Sequence, residues 1–357
     1  MENGLIPKKK ERVLYLDSLR VYAMILVIIL HVVASNWDSV PLTSWDFKFF
    51  NIYDSIARPA VSLFVMLSGS FLLDPERAYP KEKLKKKILK ILAAYFIWAF
   101  FYDMVSVVSN ILNGEFQFNK ETVIDFSEKM IYGHYHEWFL LMIAGLYLIT
   151  PLLRQITNSK RMMQYFILLS FLFFYCGNML KILPHVGKYF EYFLETTRLD
   201  FIGGYTCCFV LGYYLRRYDL SSKKRNVIYL FGILSLLFTI IGTYYMSLHR
   251  GEATEFFYNN MFPNVVLMAA AWFVLFKYTV KNASQRKKRI VYRISEYSLG
   301  MYLVHIFFVK VISKTPLNTL SYPAFISVPV GAVIVFVLSY ISVWLIKKIP
   351  GLRKYAV

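Results

Sequence analysis

The sequence predicts an all-α polytopic membrane protein of about ten transmembrane helices with both termini in the cytoplasm. Three observations predict it: composition, the length of the apolar runs, and the side on which basic residues fall. Of 357 residues, 57% are hydrophobic and 18% charged, and the mean hydropathy is +0.45; a soluble domain carries roughly 45–50% apolar and about 25% charged residues. A bilayer core about 30 Å thick needs roughly 20 residues of helix at about 1.5 Å per residue. Ten apolar runs approach that length: 13–34, 55–73, 88–112, 136–153, 163–183, 199–216, 227–247, 260–280, 294–314 and 324–347.

The 41 Lys+Arg residues exceed the 22 Asp+Glu residues by 19 charges. On a soluble chain that excess would suggest nucleic acid. Here the basic residues collect at Lys8, Lys9, Lys10 and Arg12, in the loops Arg77 to Lys87, Arg154 to Arg161, Arg216 to Arg225 and Lys277 to Arg293, and from Lys347 onward. Every second connection is loaded and the others are basic-poor, which is the positive-inside pattern of an even number of spans. The charge is therefore a topology signal, and no nucleic-acid partner is expected. The first run is not a signal peptide, because it is longer than an h-region and contains Asp17, Arg20 and His31. Cys176, Cys207 and Cys208 all lie inside apolar runs, with no spacing for a disulfide framework or a zinc site. Without linkers, low-complexity tracts or internal repeats, the chain reads as one membrane-embedded domain, 1–357, with no soluble domain fused to it.

An ionisable group in hydrocarbon is expensive and normally faces a bundle interior or wet cavity, so each one is a functional candidate. In the first span, Arg20 and His31 are eleven residues apart, which returns them to one helix face about 16 Å apart along the axis. Asp17 joins that stripe; Asp17 and Arg20 read either as an ion pair at the cytoplasmic interface or as part of a site. A guanidinium near the cytoplasmic side suits a phosphate-bearing ligand, and a deeper imidazole suits proton transfer. In the second span, Arg58 lies near the outer surface, as an interfacial anchor or an anion-binding group, and Ser68-Gly69 suits close helix packing.

Lys87 and Lys90 share a face at the start of the third span, as a positive-inside flank or as phosphate ligands, and Asp103 follows on the same helix. The fourth run opens with His136, Glu137 and Trp138, preceded by His134. With no third ligand nearby, no metal is expected there, and an aromatic rim around an acceptor is the better reading. In the ninth run, Ser295, Ser298, Tyr302 and His305 are spaced 3, 4 and 3. That spacing gives one polar stripe, which is either glue within the bundle or a wall of a reaction channel.

Together these elements resemble the type-3 membrane acyltransferases. The likeness is carried by Asp17-Ser18-Leu19-Arg20 with His31, the Arg58 to Gly69 stretch, and His136-Glu137-Trp138-Phe139 followed by Tyr147 and Thr150-Pro151-Leu152-Leu153. The last element is Ser295 to His305. The organisation is similar to that of single-domain bacterial O-acetyltransferases of surface polysaccharide, such as those acting on enterobacterial common antigen. The resemblance implies acetyl-CoA as a cytoplasmic co-substrate, with no permanently bound cofactor, and a glycan hydroxyl at the outer face of a bacterial cytoplasmic membrane as acceptor. It also implies essential roles for Arg20 and His31. Where many members have an arginine-rich element ahead of the third helix, this chain has Lys86, Lys87 and Lys90.

The expected assignment is therefore catalytic His31, Arg20 and Asp17; donor-binding Arg20, Lys87 and Lys90; and channel or acceptor residues Arg58, His136, Glu137, Trp138, Ser298, Tyr302 and His305. The competing reading is a proton-coupled secondary transporter or lipid-linked sugar flippase. It is weakened by the lack of paired halves with Gly/Pro-interrupted helices in corresponding positions.

Overall fold

The computed structural model describes residues 12–76, 81–198 and 203–355. Lys8, Lys9, Lys10, Arg77 and the first residues of the run 199–216 lie outside the described residues. Of the described residues 79% are helical, and none is in a strand. The helices are α1 (Leu14–Ala34), α2 (Trp45–Ala57), α3 (Ala60–Leu72), α4 (Lys81–Leu112), α5 (Lys120–Tyr132), α6 (Trp138–Thr157), α7 (Lys160–Leu169), α8 (Gly177–Leu180) and α9 (Gly187–Thr197). They continue with α10 (Tyr205–Arg217), α11 (Ser222–Arg250), α12 (Pro263–Thr279), α13 (Gln285–Ser313), α14 (Ala324–Ile346) and α15 (Pro350–Tyr355).

Among the described residues, seven helices are long and apolar enough to cross a membrane: α1, the joined α2–α3, α4, α6, the α7–α8 column, α11 and α14. The apolar α12 is shorter at 17 residues. The remaining two expected runs are occupied by α10, with 13 residues, and by α13, whose 29 residues begin with a basic segment.

Element boundaries follow local chemistry. Side-chain caps open five helices: Ser44, Asn119, Ser159, Ser221 and Ser284 each accept a backbone N–H two or three residues inside α2, α5, α7, α11 and α13. The second run is not one unbroken helix. Pro59 has no N–H to donate and its ring crowds the preceding turn, so the crossing stops at Ala57 and restarts at Ala60. The fifth column passes from α7 through a π-helical stretch, Ser170–Cys176, into α8. The third run starts earlier than its apolar core, so Lys85, Lys86 and Lys87 are on the helix α4 itself.

The helix α1 lies at the centre of the bundle, touching α2, α3, α12, α13 and α14. Its Leu19, Ala23, Met24, Ile28 and Val33 are fully buried. The helices α3 and α10 approach each other closely. A Cβ on Gly69 would stand 1.9 Å from the Phe209 carbonyl oxygen, and one on Gly212 would stand 2.0 Å from that of Met66. Only glycine permits this backbone-to-backbone contact, so Gly69 serves the packing role expected of it.

Candidate active site

A cavity of about 570 Å³ opens among α1, α3, α4, α6 and α13. Its charged wall carries Arg12, Asp17, Arg20, Lys87 and Glu296, and its apolar wall Phe64, Phe71, Ile91, Phe139, Leu140 and Ile143. Ser68, Tyr147, Ser298 and Tyr302 add hydroxyls. On α13 the lining runs from Ser295 to Tyr302, about 10 Å along the helix. The charged residues stand at the α1 and α4 N-terminal end and Tyr302 at the other.

Asp17 is not paired with Arg20. Its carboxylate accepts from Arg12 Nη2 at 2.7 Å and from the Ser295 hydroxyl, which joins the entrance of α1 to α13. Arg20, three residues on, makes no hydrogen bond among the described residues; its guanidinium stands 5.8 Å from the Phe71 ring centroid. A partly buried guanidinium with unused N–H donors in a cavity wall is suited to an anionic oxygen. Lys87 lines the same cavity, whereas Lys90 is exposed and is not among the lining residues.

Beyond Tyr302 lies a second group of residues. The Tyr302 hydroxyl donates to the His136 backbone carbonyl, closing the cavity at that end. One turn further along α13, His305 is fully buried. Its ring centroid is 5.1 Å from that of His31 and 5.7 Å from that of His136. Tyr135 stands 5.7 Å from His31 on another side. The helix spacing on α1 and α13 and the loop before α6 thus bring His31, His136, Tyr302 and His305 together. Asp17, about 21 Å below His31 along α1, belongs to the charged end of the cavity instead.

The loop that delivers His136 is tightly constrained. Gly133 ends α5 at φ +68°, and a Cβ there would stand 2.7 Å from the Tyr95 hydroxyl and 2.8 Å from Glu137 Oε2. Glu137 Oε2 accepts the His134 N–H at 2.7 Å, folding the loop back on itself. His134 Nδ1 is 2.9 Å from His136 Nδ1, and His134 Nε2 is 2.8 Å from Lys310 Nζ. Burial, with the Lys310 charge adding to it, pushes the His134 imidazole down to about 4.

Other expected residues make no hydrogen bond to this group among the described residues. Arg58 is ion-paired with Asp54, lies 3.7 Å from Glu255 and stands 4.0 Å over the Tyr258 ring, so its charge is engaged within the protein. Trp138 is 41% exposed and lies against Tyr205. Asp103 is buried with Oδ2 unpartnered among the described residues and makes no hydrogen bond to His31. The sequence did not single out Arg12 as a partner of Asp17, nor Tyr102 and Lys310. Tyr102 stacks on His134 at 4.5 Å. The Lys310–His134 contact joins residues 176 apart in sequence, which no local pattern signals.

The cavity thus has cationic side chains at one end and an apolar wall along its length, and the imidazoles of His31, His136 and His305 lie beyond Tyr302. No curated protein and no solved structure matches the chain. A family model described as an acyltransferase domain matches residues 13–348; with that match over nearly its whole length, the chain belongs to the type-3 acyltransferase family.

Proposed function

We propose that this membrane acyltransferase moves an acetyl group from cytoplasmic acetyl-CoA to a hydroxyl of a cell-surface polysaccharide or lipid-linked glycan at the outer face of a bacterial cytoplasmic membrane. The observation that carries this reading is the 570 Å³ cavity with Arg12, Arg20 and Lys87 at one end and Tyr302, adjoining the histidines, at the other. Phosphate oxygens match the cationic end, and a pantetheine arm matches the narrow apolar wall of Phe64, Phe139 and Leu140.

In the chemical step the acceptor oxygen attacks the thioester carbonyl carbon while His31 removes its proton. The intermediate collapses with loss of CoA thiolate, which leaves as the thiol after taking up a proton. In the alternative route His31 itself receives the acetyl group and passes it on. Both routes require an unprotonated imidazole at His31.

Binding tests the donor half directly. Purified protein is expected to bind acetyl-CoA by calorimetry and to retain that binding in His31→Ala. Dephosphorylated pantetheine thioester is expected to bind much more weakly, because it lacks the groups that Arg20 and Lys87 engage. Equal affinity for the two compounds would remove the cationic end from the donor site. Radiolabel appearing on His31 in the absence of acceptor would select the covalent route.

A further inference from the structure

The outer histidines carry more information than their proximity. Lys310 extends from α13 near its outer end and has only donors to offer, so its ammonium donates to His134 Nε2 across 2.8 Å. A neutral His134 then carries its proton on Nδ1 and donates it across 2.9 Å to His136 Nδ1. His136 must in turn carry its proton on Nε2, and that nitrogen is buried and makes no hydrogen bond of normal geometry among the described residues, with the Leu303 backbone carbonyl near the ring. The state of His134 agrees with this chain, since burial and Lys310 keep it neutral down to about 4. Three neighbours hold the chain in place: Glu137 accepts the His134 backbone N–H, Tyr102 stacks on the His134 ring, and Tyr302 donates to the His136 carbonyl.

His305 shows the opposite polarity. Its Nδ1 faces the Tyr302 carbonyl oxygen, which can only accept. The proton is therefore on Nδ1, and Nε2 is a bare lone pair, also buried and unpartnered among the described residues. A buried N–H and a buried lone pair, on rings 5.7 Å apart and beside His31, together suit a ligand that has both an oxygen acceptor and a hydroxyl. An unsatisfied buried polar atom is costly, and its persistence points to a partner supplied by the ligand.

We propose that Lys310 and His134 act as positioning residues that fix His136 in its Nε2–H tautomer, and that this N–H donates to the acyl carbonyl oxygen during transfer. The inference rests on the acyltransfer reading above. As the acceptor oxygen bonds to the carbonyl carbon, the carbonyl π electrons move to oxygen, and His31 takes the hydroxyl proton. His136 stabilises the resulting oxyanion by hydrogen bonding and keeps its own proton. When the carbonyl re-forms, the carbon–sulfur bond breaks and the thiolate accepts the proton held by His31. A neutral imidazole is a competent electrophile for such a carbonyl, and hydrogen bonds in series from an ammonium polarise one another, strengthening the terminal donor.

Only six histidines are present, so selective ¹⁵N-imidazole labelling gives a resolvable NMR spectrum in which His136→Leu identifies the His136 signals. In the unaltered protein, His136 is expected as the Nε2–H tautomer. Lys310 is exposed, so Lys310→Met is expected to fold and to mix the His136 tautomers. It should lower kcat by up to about tenfold, the scale of one weakened hydrogen bond, with KM for acetyl-CoA unchanged. Lys310→Arg is expected to restore both tautomer and kcat. His136→Leu is expected to lower kcat by roughly 10²–10³-fold, as loss of one oxyanion donor does. An Nδ1–H tautomer in the unaltered protein, or full kcat in Lys310→Met, would overturn the chain. The expected tautomer in a protein that transfers no acyl group would instead overturn the acyltransfer reading on which the chain rests.

Discussion

A general base contributes about 10²–10⁴-fold in rate, so His31→Ala is expected to abolish detectable acylation while the protein stays folded and binds acetyl-CoA nearly as before. His31→Gln separates chemistry from packing, since it keeps hydrogen-bonding capacity and much of the volume but accepts no proton at neutral pH. Turnover retained in His31→Gln, measured as glycan acetylation, would transfer the base role to His305, whose Nε2 lone pair is 0% exposed and adjacent. At the other end of the cavity, Arg20→Lys keeps the charge and loses the planar fork, and is expected to weaken acetyl-CoA binding clearly. Lys87→Ala should weaken it less and Lys90→Ala least, because Lys90 does not line the cavity. A third outcome concerns pH. His134 is held down at about 4, whereas the unfolded chain protonates this histidine near 6.5. Stability therefore falls as pH drops from about 6.5 to about 4, and Lys310→Met should move the His134 midpoint upward in an NMR titration by removing one lowering cause. His31 and Arg20 were legible in the sequence because eleven residues of helix return to the same face. The Asp17–Ser295 and Lys310–His134 contacts were not, because their partners are 278 and 176 residues apart and meet only through helix packing.

Helix contacts in this bundle depend on where small residues fall, and two glycines in different helices make opposite predictions. Gly69→Ala places a Cβ 1.9 Å from the Phe209 carbonyl oxygen, a clash with backbone that no rotamer relieves. We expect a loss of roughly 1–3 kcal/mol and a clearly lower Tm for the detergent-solubilised protein. Gly145, in the interior of α6, has nothing within 4 Å of its added Cβ, so Gly145→Ala should stabilise by about 0.5–1 kcal/mol through helix propensity. A similar gain in both variants would show that helix propensity rather than the α3–α10 contact dominates. Element limits were legible where polarity changed. They were less so where backbone geometry decides, as at Pro59, which divides α2 from α3, and at the π-helical stretch after α7. The helix α5 also went unread, because its 13 residues bury none of their number and show no apolar run.

At the scale of the whole molecule, the charge pattern and the cavity make one joint prediction. By the positive-inside rule the loaded connections between α10 and α11 and between α12 and α13 are expected on the cytoplasmic side, and the connection carrying α5 outside. With that orientation the cationic end of the cavity, formed where α1 and α4 begin, is expected to open to the cytoplasm, the side of the proposed acyl-CoA donor, and the histidines to lie toward the side of the proposed glycan acceptor. Cysteines at the exposed, non-capping positions Lys223 and Lys287 are expected to be shielded from a membrane-impermeant thiol reagent in intact cells and labelled after permeabilisation. One at Glu121 should be labelled in both. The native thiols interfere little, since Cys207 and Cys208 are buried and the half-buried Cys176 can be replaced by Ser. Labelling of Lys223→Cys and Lys287→Cys in intact cells, with Glu121→Cys shielded, would invert the protein. The cavity would then face a compartment without acyl-CoA, and Arg20 and Lys87 would have to be reassigned from the donor to an anionic glycan.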